Sequence, residues 1–552
     1  MRMKPFTKHY HDLLAVPLLV LLALSTNLAL AEEMSEPIEA SSVQQANEAP
    51  VVEEKFDIFE YQVEGNSKLT NVEIETAVYP FLGEKRTFTD VRKAREALEK
   101  VYHQAGYLTV LVDIPEQEVA NKVVKLSVTE SKIGILRIKD SDYYSLGRIK
   151  TLAKSVKEGE VPNFNKIQED ITKLNRTADR RVTPVMRAGE KYGTVDVDLK
   201  VEDKPPVHGS LELNDRYNQG TPRWRLGGSV SYDNLFDRDH SLSVSFLVSP
   251  EDNADSVKVL SSNYLMRFDE TDALLAIYGV ISRSEISTIG GINVLGDGEI
   301  LGVRYIKPLP SIDNYYHSIS AGIDYKNFGQ SIILGQSSSF GNSIEQPIRY
   351  APFSASYTGT WQGQKSTTNL TLGTVFGLRG FIASEGDFEA RRSGAIPNFF
   401  IVNSEINHTH SFENGFEAFG KINTQLTDSR LVNNEQYLAG GVDSVRGYLE
   451  TQSAGDQGLN TRLEIRSPRL FKSTDWLNEF KVNAFHDFAY LYINDAQDGE
   501  EVNQTLQGAG LGLNIKAFNH WNLRWFAAWA LKSNFVKEAG DFQSHIRVWY
   551  DF

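Results

Sequence analysis

Phe542-Gln543-Ser544-His545-Ile546-Arg547-Val548-Trp549-Tyr550-Asp551-Phe552 alternates from end to end. Side chains two apart share one face of a strand, so Phe542, Ser544, Ile546, Val548, Tyr550 and Phe552 lie on one side. Gln543, His545, Arg547, Trp549 and Asp551 take the other. An apolar, aromatic face backed by a polar one is what a strand shows when lipid lies on one side and water on the other. The pattern recurs back to about residue 207, in segments rich in Tyr, Phe, Trp, Val and Gly: 209–217, 223–232, 240–248, 256–267, 272–283, 298–307, 316–325, 352–361, 368–378, 399–408, 416–426, 460–468, 480–488, 507–516, 522–531 and 543–552. Roughly 16 strands of about ten residues are what a closed membrane-spanning barrel needs.

The connections alternate in length. Short links such as Phe268 to Thr271, Gln362 to Thr367 and Ala517 to Trp521 are interleaved with longer ones at 326–351, 379–398, 427–459 and 489–506. Short periplasmic turns and long external loops produce that asymmetry. Composition agrees: 552 residues exceed one compact domain, no apolar run is long enough for a spanning helix after the first 31 residues, and a membrane can otherwise be crossed only by a closed barrel. A net charge of -15 without clustered Lys and Arg argues against a nucleic-acid partner, and the absence of Cys excludes thiolate metal sites.

Before the barrel the periodicity is different. Arg2, Lys4 and Lys8, the apolar Leu13 to Leu24 and the small residues Ala29-Leu30-Ala31 predict a signal peptide over 1–31. Residues 32–55 are acidic with Pro37 and Pro50 and predict a flexible linker, Ser41 to Ala49 being a weak helical candidate. Residues 56–131 predict a first α+β domain: a strand from Phe56 to Val63, a helix from Thr70 to Val78, a longer helix capped by Thr89 with Val91, Ala94, Leu98 and Val101 on one face, and strands Tyr107 to Ile114 and Val123 to Val128. Residues 132–203 repeat the plan, with a strand from Arg180 to Arg187 that contains Pro184 and so belongs at a sheet edge. An open edge can accept another extended chain, which makes Arg180, Arg181, Val182, Pro184 and Arg187 candidate client-binding residues; a merely protected edge is the alternative. Lys204-Pro205-Pro206 is a stiff hinge, and the barrel is assigned to 207–552.

Inside the long insertion 427–459 stands Gly440-Gly441-Val442-Asp443-Ser444-Val445-Arg446-Gly447-Tyr448, a lone Arg among turn-formers with apolar neighbours. Such a cation needs an anionic partner. Parity along 480–488 turns Phe480, Val482, Ala484 and Phe488 to lipid and Lys481, Asn483, Phe485 and Asp487 inward. Arg462, Glu464 and Arg466 share the inward parity of the preceding strand and are read as lining water.

Val445-Arg446-Gly447-Tyr448 resembles the VRGY signature of the Omp85 superfamily, which contains the barrel-assembly proteins and the two-partner secretion transporters. Phe485-His486-Asp487-Phe488-Ala489 resembles its F/G-x-D-x-G wall motif, with Ala489 in place of the last Gly. Val63-Glu64-Gly65-Asn66, Tyr102 to Tyr107 and Ile114-Pro115-Glu116-Gln117 resemble the first POTRA domain of two-partner transporters. Leu174-Asn175, Pro184, Gly189 and the alternation Val195, Val197, Leu199, Val201 resemble the second. The resemblance is to the ShlB/FhaC/HecB-type (TpsB) haemolysin secretion/activation proteins and covers nearly the whole mature chain. It implies an outer-membrane protein of a Gram-negative cell, inserted by the barrel-assembly machinery, with Tyr550 and Phe552 in the C-terminal insertion signal. It implies that the loop folds into the lumen and Arg446 pairs with Asp487. It further implies a monomer whose periplasmic POTRA domains capture an unfolded exoprotein (adhesin, haemolysin or contact-dependent toxin) for passage through the barrel without ATP. An assembly factor of the same superfamily and a passive porin or receptor are the alternatives.

Catalytic constellations are missing. Gly508-Ala509-Gly510-Leu511-Gly512 opens no helix and reads as small residues in a curved strand, and Gly363-Gln364-Lys365-Ser366-Thr367 lacks the glycine spacing of a phosphate loop. His408 with His410 and Asp297-Gly298-Glu299 fall short of a metal ligand set. No enzyme activity, metal or cofactor is expected.

Overall fold

The computed structural model describes residues 54–251, 257–284, 286–289, 292–295, 297–329 and 347–552. The signal peptide expected over 1–31, the helical candidate Ser41 to Ala49 and all but the last two residues of the expected linker 32–55 lie outside them.

The first module is a sheet in the order Glu60–Glu64, Val123–Glu130, Val110–Asp113, backed by helices Asn71–Val78 and Phe88–Gln104. Thr70 caps the first helix, and the Glu73 carboxylate accepts from the Thr70 backbone N–H at 2.8 Å. The second helix is capped by Thr87 and not, as expected, by Thr89. The reason is local: Thr87 has an acid three residues on, and Asp90 accepts from the Thr87 N–H at 3.0 Å. Its buried stripe is Val91, Ala94, Leu98 and Tyr102, so Tyr102 takes the core position assigned to Val101. A short pairing of Phe56–Ile58 with Gly83–Arg86, not anticipated from the sequence, closes the module's side.

The second module orders its sheet Lys132–Lys139, Thr194–Asp203, Arg180–Ala188, with helices Leu146–Leu152 and Phe164–Leu174 packed on it through Ile149, Ile167 and Leu174. Arg180–Ala188 pairs only with Thr194–Asp203, so Pro184 sits on an edge strand where its missing N–H breaks no inner ladder.

Each of the segments picked out by alternation is a strand, and together they close a 16-stranded antiparallel barrel. The last strand, Phe542–Asp551, pairs with the first, Val207–Asn214, in the register Arg547↔Asn214 to Asp551↔Ser210. Ile348–Tyr350 continues Phe353–Gln362 across Ala351-Pro352, where the proline interrupts the ladder along Tyr315–Phe328. Outward side chains are apolar at every second position, as at Val230 and Tyr232, Val244 and Phe246, or Leu301, Val303 and Tyr305. Such bands would form an aggregating surface in water and are stable against lipid. Among the described residues no helix is long and apolar enough to cross a membrane.

Among the described residues, the long connections 379–398, 427–459 and 489–506 lie at the end of the barrel away from the modules. One carries the helix Glu385–Arg391, capped by Ser384, whose Phe388 is buried against Tyr350, Phe399, Leu431 and Val432. The insertion after Glu417–Thr427 folds inward, with a small hairpin of Tyr437–Ala439 and Ser453–Gly455 in its middle.

Candidate functional site

The site is assembled from one loop and four wall strands. Leu477–Tyr492 places Asp487 opposite Arg462 on one side and opposite Gly508 on the other. The next strand, Trp521–Ala530, sets Ala530 against Gly508 and Ala528 against Gly510. Glycines and alanines thus floor a depression on the inner wall, and the loop lies in it. A Cβ at Gly510 would stand 2.0 Å from the Ala527 carbonyl oxygen, so no larger residue fits there without displacing the neighbouring strand. Gly447 turns with φ +107°, and a Cβ there would stand 3.0 Å from the Trp529 and Ala530 backbone, so a side chain would push the two apart.

Arg446 is fully buried. Its Nε donates to Asp487 Oδ2 at 2.7 Å and its Nη2 to Asp487 Oδ1 at 2.8 Å, a bidentate pair, and the Arg446 backbone N–H adds a third bond to Oδ2 at 3.0 Å. The guanidinium lies 3.5 Å from the Phe485 ring centre and 4.8 Å from that of Phe526. Aromatic faces of this kind favour a cation stripped of water. The Asp487 placement and the inward turn of Phe485 are those that strand parity indicates.

Glu464 corrects the sequence reading. It does not line water: it is buried, and its Oε2 accepts from Arg446 Nη1 at 2.9 Å while Oε1 accepts from Arg466 Nε at 2.8 Å. Inward parity was its only signal, and parity cannot separate a lumen-facing carboxylate from one covered by a loop. Arg462 stands 3.7 Å from Asp487 and donates to the Asp443 carbonyl at 3.1 Å, so the site alternates cations and anions.

The rest of the loop is held at several points. Val445 and Tyr448 are buried with Ala439, Ala489, Leu491, Leu506 and Ala530. The Tyr448 hydroxyl donates to the Lys532 carbonyl at 2.6 Å. Arg216, just beyond the first barrel strand, donates to Glu450 at 3.1 Å. At the stem, Asp456 is completely buried and accepts from Leu431 N at 3.1 Å, Asn494 N at 2.9 Å and the Arg392 guanidinium, which ties both ends of the loop to the outer rim. No spacing in the sequence indicates Asp456, whose partners come from three separate segments.

The other candidates are dispersed. Arg180 is buried, with Nη1 3.1 Å from Asp239 in a periplasmic turn of the barrel, so its side chain docks the second module and is closed to a client. Val182 belongs to that module's core, and Arg187 pairs with Asp198. Arg181 is exposed, and Pro184 is half-buried at the free edge. Phe552 exchanges backbone bonds of 3.0 Å with Gly209, and Tyr550 packs between Trp521 and Phe552. His408 bonds Thr368 at 2.7 Å beside His410.

The model of the family described as haemolysin secretion/activation protein ShlB/FhaC/HecB matches residues 193–515, more than half of the chain, and that of the ShlB-type POTRA domain matches 56–131. The chain is similar to the heme/hemopexin transporter protein HuxB of Haemophilus influenzae, 20% identical over 84% of this chain and 81% of HuxB. It is 25% identical to the outer membrane transporter CdiB of Escherichia coli O6:K15:H31, over 83% of this chain and 76% of CdiB. The solved structure of CdiB from Escherichia coli shares the fold, with a TM-score of 0.64 at 20% identity, covering 96% of this chain and 94% of that one. The chain belongs to the ShlB/FhaC/HecB family of haemolysin secretion/activation proteins, the outer-membrane transporters of two-partner secretion systems.

Proposed function

We propose that this transporter exports one cognate exoprotein, captured in extended form by its periplasmic modules and passed outward past a loop that Arg446 clamps against the wall in the resting state. The observation that carries the reading is the complete burial of Arg446 between Asp487 and Glu464. A buried guanidinium with all three nitrogens bonded to carboxylates holds a loop far more firmly than a solvated ion pair. The loop and its hairpin of Tyr437–Ala439 and Ser453–Gly455 pack on the wall strands beside Asp487, and export through the barrel displaces them.

Client capture draws on the free edge of Arg180–Ala188, where backbone pairing reads an extended chain with little regard to side chains. Arg181 and Pro184 remain in this role; Arg180 serves docking instead. Folding of the exoprotein outside supplies direction, since no nucleotide site is part of the mechanism. Tyr550 and Phe552 mark the terminal strand for the insertion machinery. The client is of the adhesin, haemolysin or contact-dependent toxin kind.

The test is a comparison of culture supernatants from cells that carry this chain with those from cells that lack it. One large secreted protein disappears from the medium when the chain is removed. A supernatant that is unchanged, with solute flux through the barrel as the only difference, refutes the reading in favour of a passive pore.

A further inference from the structure

Where the second module meets the barrel, charge is arranged unevenly. Three arginines of the module meet aspartates of two periplasmic turns: Arg148 with Asp269 at 2.6 Å, Arg176 with Asp272 at 2.8 Å, and Arg180 with Asp239 at 3.1 Å. Beside them two further carboxylates converge without any such cation. Asp179, buried at the foot of the edge strand, and Asp233, in the second barrel strand, both point at Nε2 of His208 in the first barrel strand, at 2.8 and 3.6 Å. No Lys or Arg pairs with Asp179 or Asp233 among the described residues; Asp233 has only a hydroxyl besides, that of Ser241.

One donor atom from each of Asp179, His208 and Asp233 lies within 4.8 Å of the others. Donors about 2.0–2.2 Å from a common zinc ion stand about 3.3 to 3.6 Å apart in a tetrahedron; the two His208 contacts, 2.8 Å to Asp179 and 3.6 Å to Asp233, lie close to that spacing, the shorter being a hydrogen bond that a metal would replace. Two carboxylates converge on one imidazole with no Lys or Arg paired to them among the described residues, and a divalent ion balances both. A mixed nitrogen and oxygen set suits a transition metal, since hard ions such as Mg²⁺ and Ca²⁺ prefer oxygen alone.

We propose that Asp179, His208 and Asp233 form a divalent transition-metal site, zinc by preference, that staples the second module to the first hairpin of the barrel. The fourth position is left to water, as His208 and Asp233 are partly exposed. The three ligands come from a module turn and two strands that pair at Ser231↔His208, so the metal joins the segments on both sides of the Lys204-Pro205-Pro206 hinge. The site is independent of the lumen loop and goes beyond the proposed transport cycle.

The test is zinc titration by calorimetry on the full-length protein, purified in detergent and stripped with chelator. Wild type takes up one equivalent saturably. Asp179→Asn, His208→Ala and Asp233→Asn each weaken binding by about tenfold or more, while His408→Ala leaves it unchanged. Asp179 lies outside the barrel, so Asp179→Asn leaves closure intact, which heat-dependent gel mobility verifies. Absence of saturable uptake in wild type, uptake that survives both Asp179→Asn and His208→Ala, or loss of uptake in His408→Ala overturns the site.

Discussion

The carbonyl oxygen of Arg446 occupies the space that a side chain at Gly508 would fill: a Cβ there would stand 1.8 Å from it. The loop therefore reaches the wall only because that wall position is glycine. Gly508→Ala is expected to lift the loop while the barrel still inserts, because alanine is tolerated in a strand. Single-channel recording in planar bilayers checks this, with a larger and noisier conductance than wild type as the expected outcome.

The two carboxylates around Arg446 are unequal. Asp487 takes two guanidinium bonds and a backbone N–H, whereas Glu464 takes one guanidinium bond and shares itself with Arg466. Removing one partner of a buried pair costs about 3–5 kcal/mol. Asp487→Asn is expected to release the loop more than Glu464→Gln, measured as protease accessibility of 440–450 in intact cells. Arg446→Lys does not restore the clamp, since an ammonium cannot make the forked contact with Asp487 and reach Glu464 as well.

The stem makes a separate test. Asp456 is buried under the Arg392 guanidinium and two backbone N–H groups. Asp456→Asn removes the charge and leaves Arg392 only the more distant Glu500, at 3.9 Å, so the outer rim should loosen with the Arg446 clamp still closed. Hydrogen exchange is expected to rise around 428–436 and 493–500 and to stay low at 445–448.

The docking of the second module should depend on pH with a definite sign. Hydrogen bonding by Arg148 holds the Asp269 carboxyl below its ordinary range, and Arg176 does the same for Asp272. A carboxylate whose docked value is depressed stabilises the docked form above its free value and loses that contribution as pH falls through the docked one. Spin-label distances between the second module and the barrel should therefore be constant from pH 7 to 5 and broaden only below about pH 4. Arg176→Ala is expected to shift that broadening upward.

Much of this molecule was legible in its residues. Period-two alternation located every barrel strand, because lipid on one side and water on the other write opposite chemistry on neighbouring positions. The same parity turned Asp487 and Phe485 inward. It failed for Glu464, because a loop that covers part of the lumen wall is a long-range event that leaves no mark on the strand it covers. The cap expected at Thr89 lies at Thr87, where the acid three residues on, Asp90, is the signal in the sequence. The glycines 508 and 510 were read as curvature; their reason is the room they leave for the Arg446 carbonyl and for the neighbouring strand. Arg180 was read as edge and proved to be interface, since no sequence pattern pairs it with Asp239, 59 residues further on.

The central claim is that the clamp on Arg446 belongs to the transport cycle and not merely to the stability of the barrel. It is tested most directly by Arg446→Ala, measuring the cognate exoprotein in the supernatant from cells with matched amounts of heat-modifiable barrel in the outer membrane. The expected result is an inserted barrel with export lost. Export at the wild-type level from that variant would contradict the account.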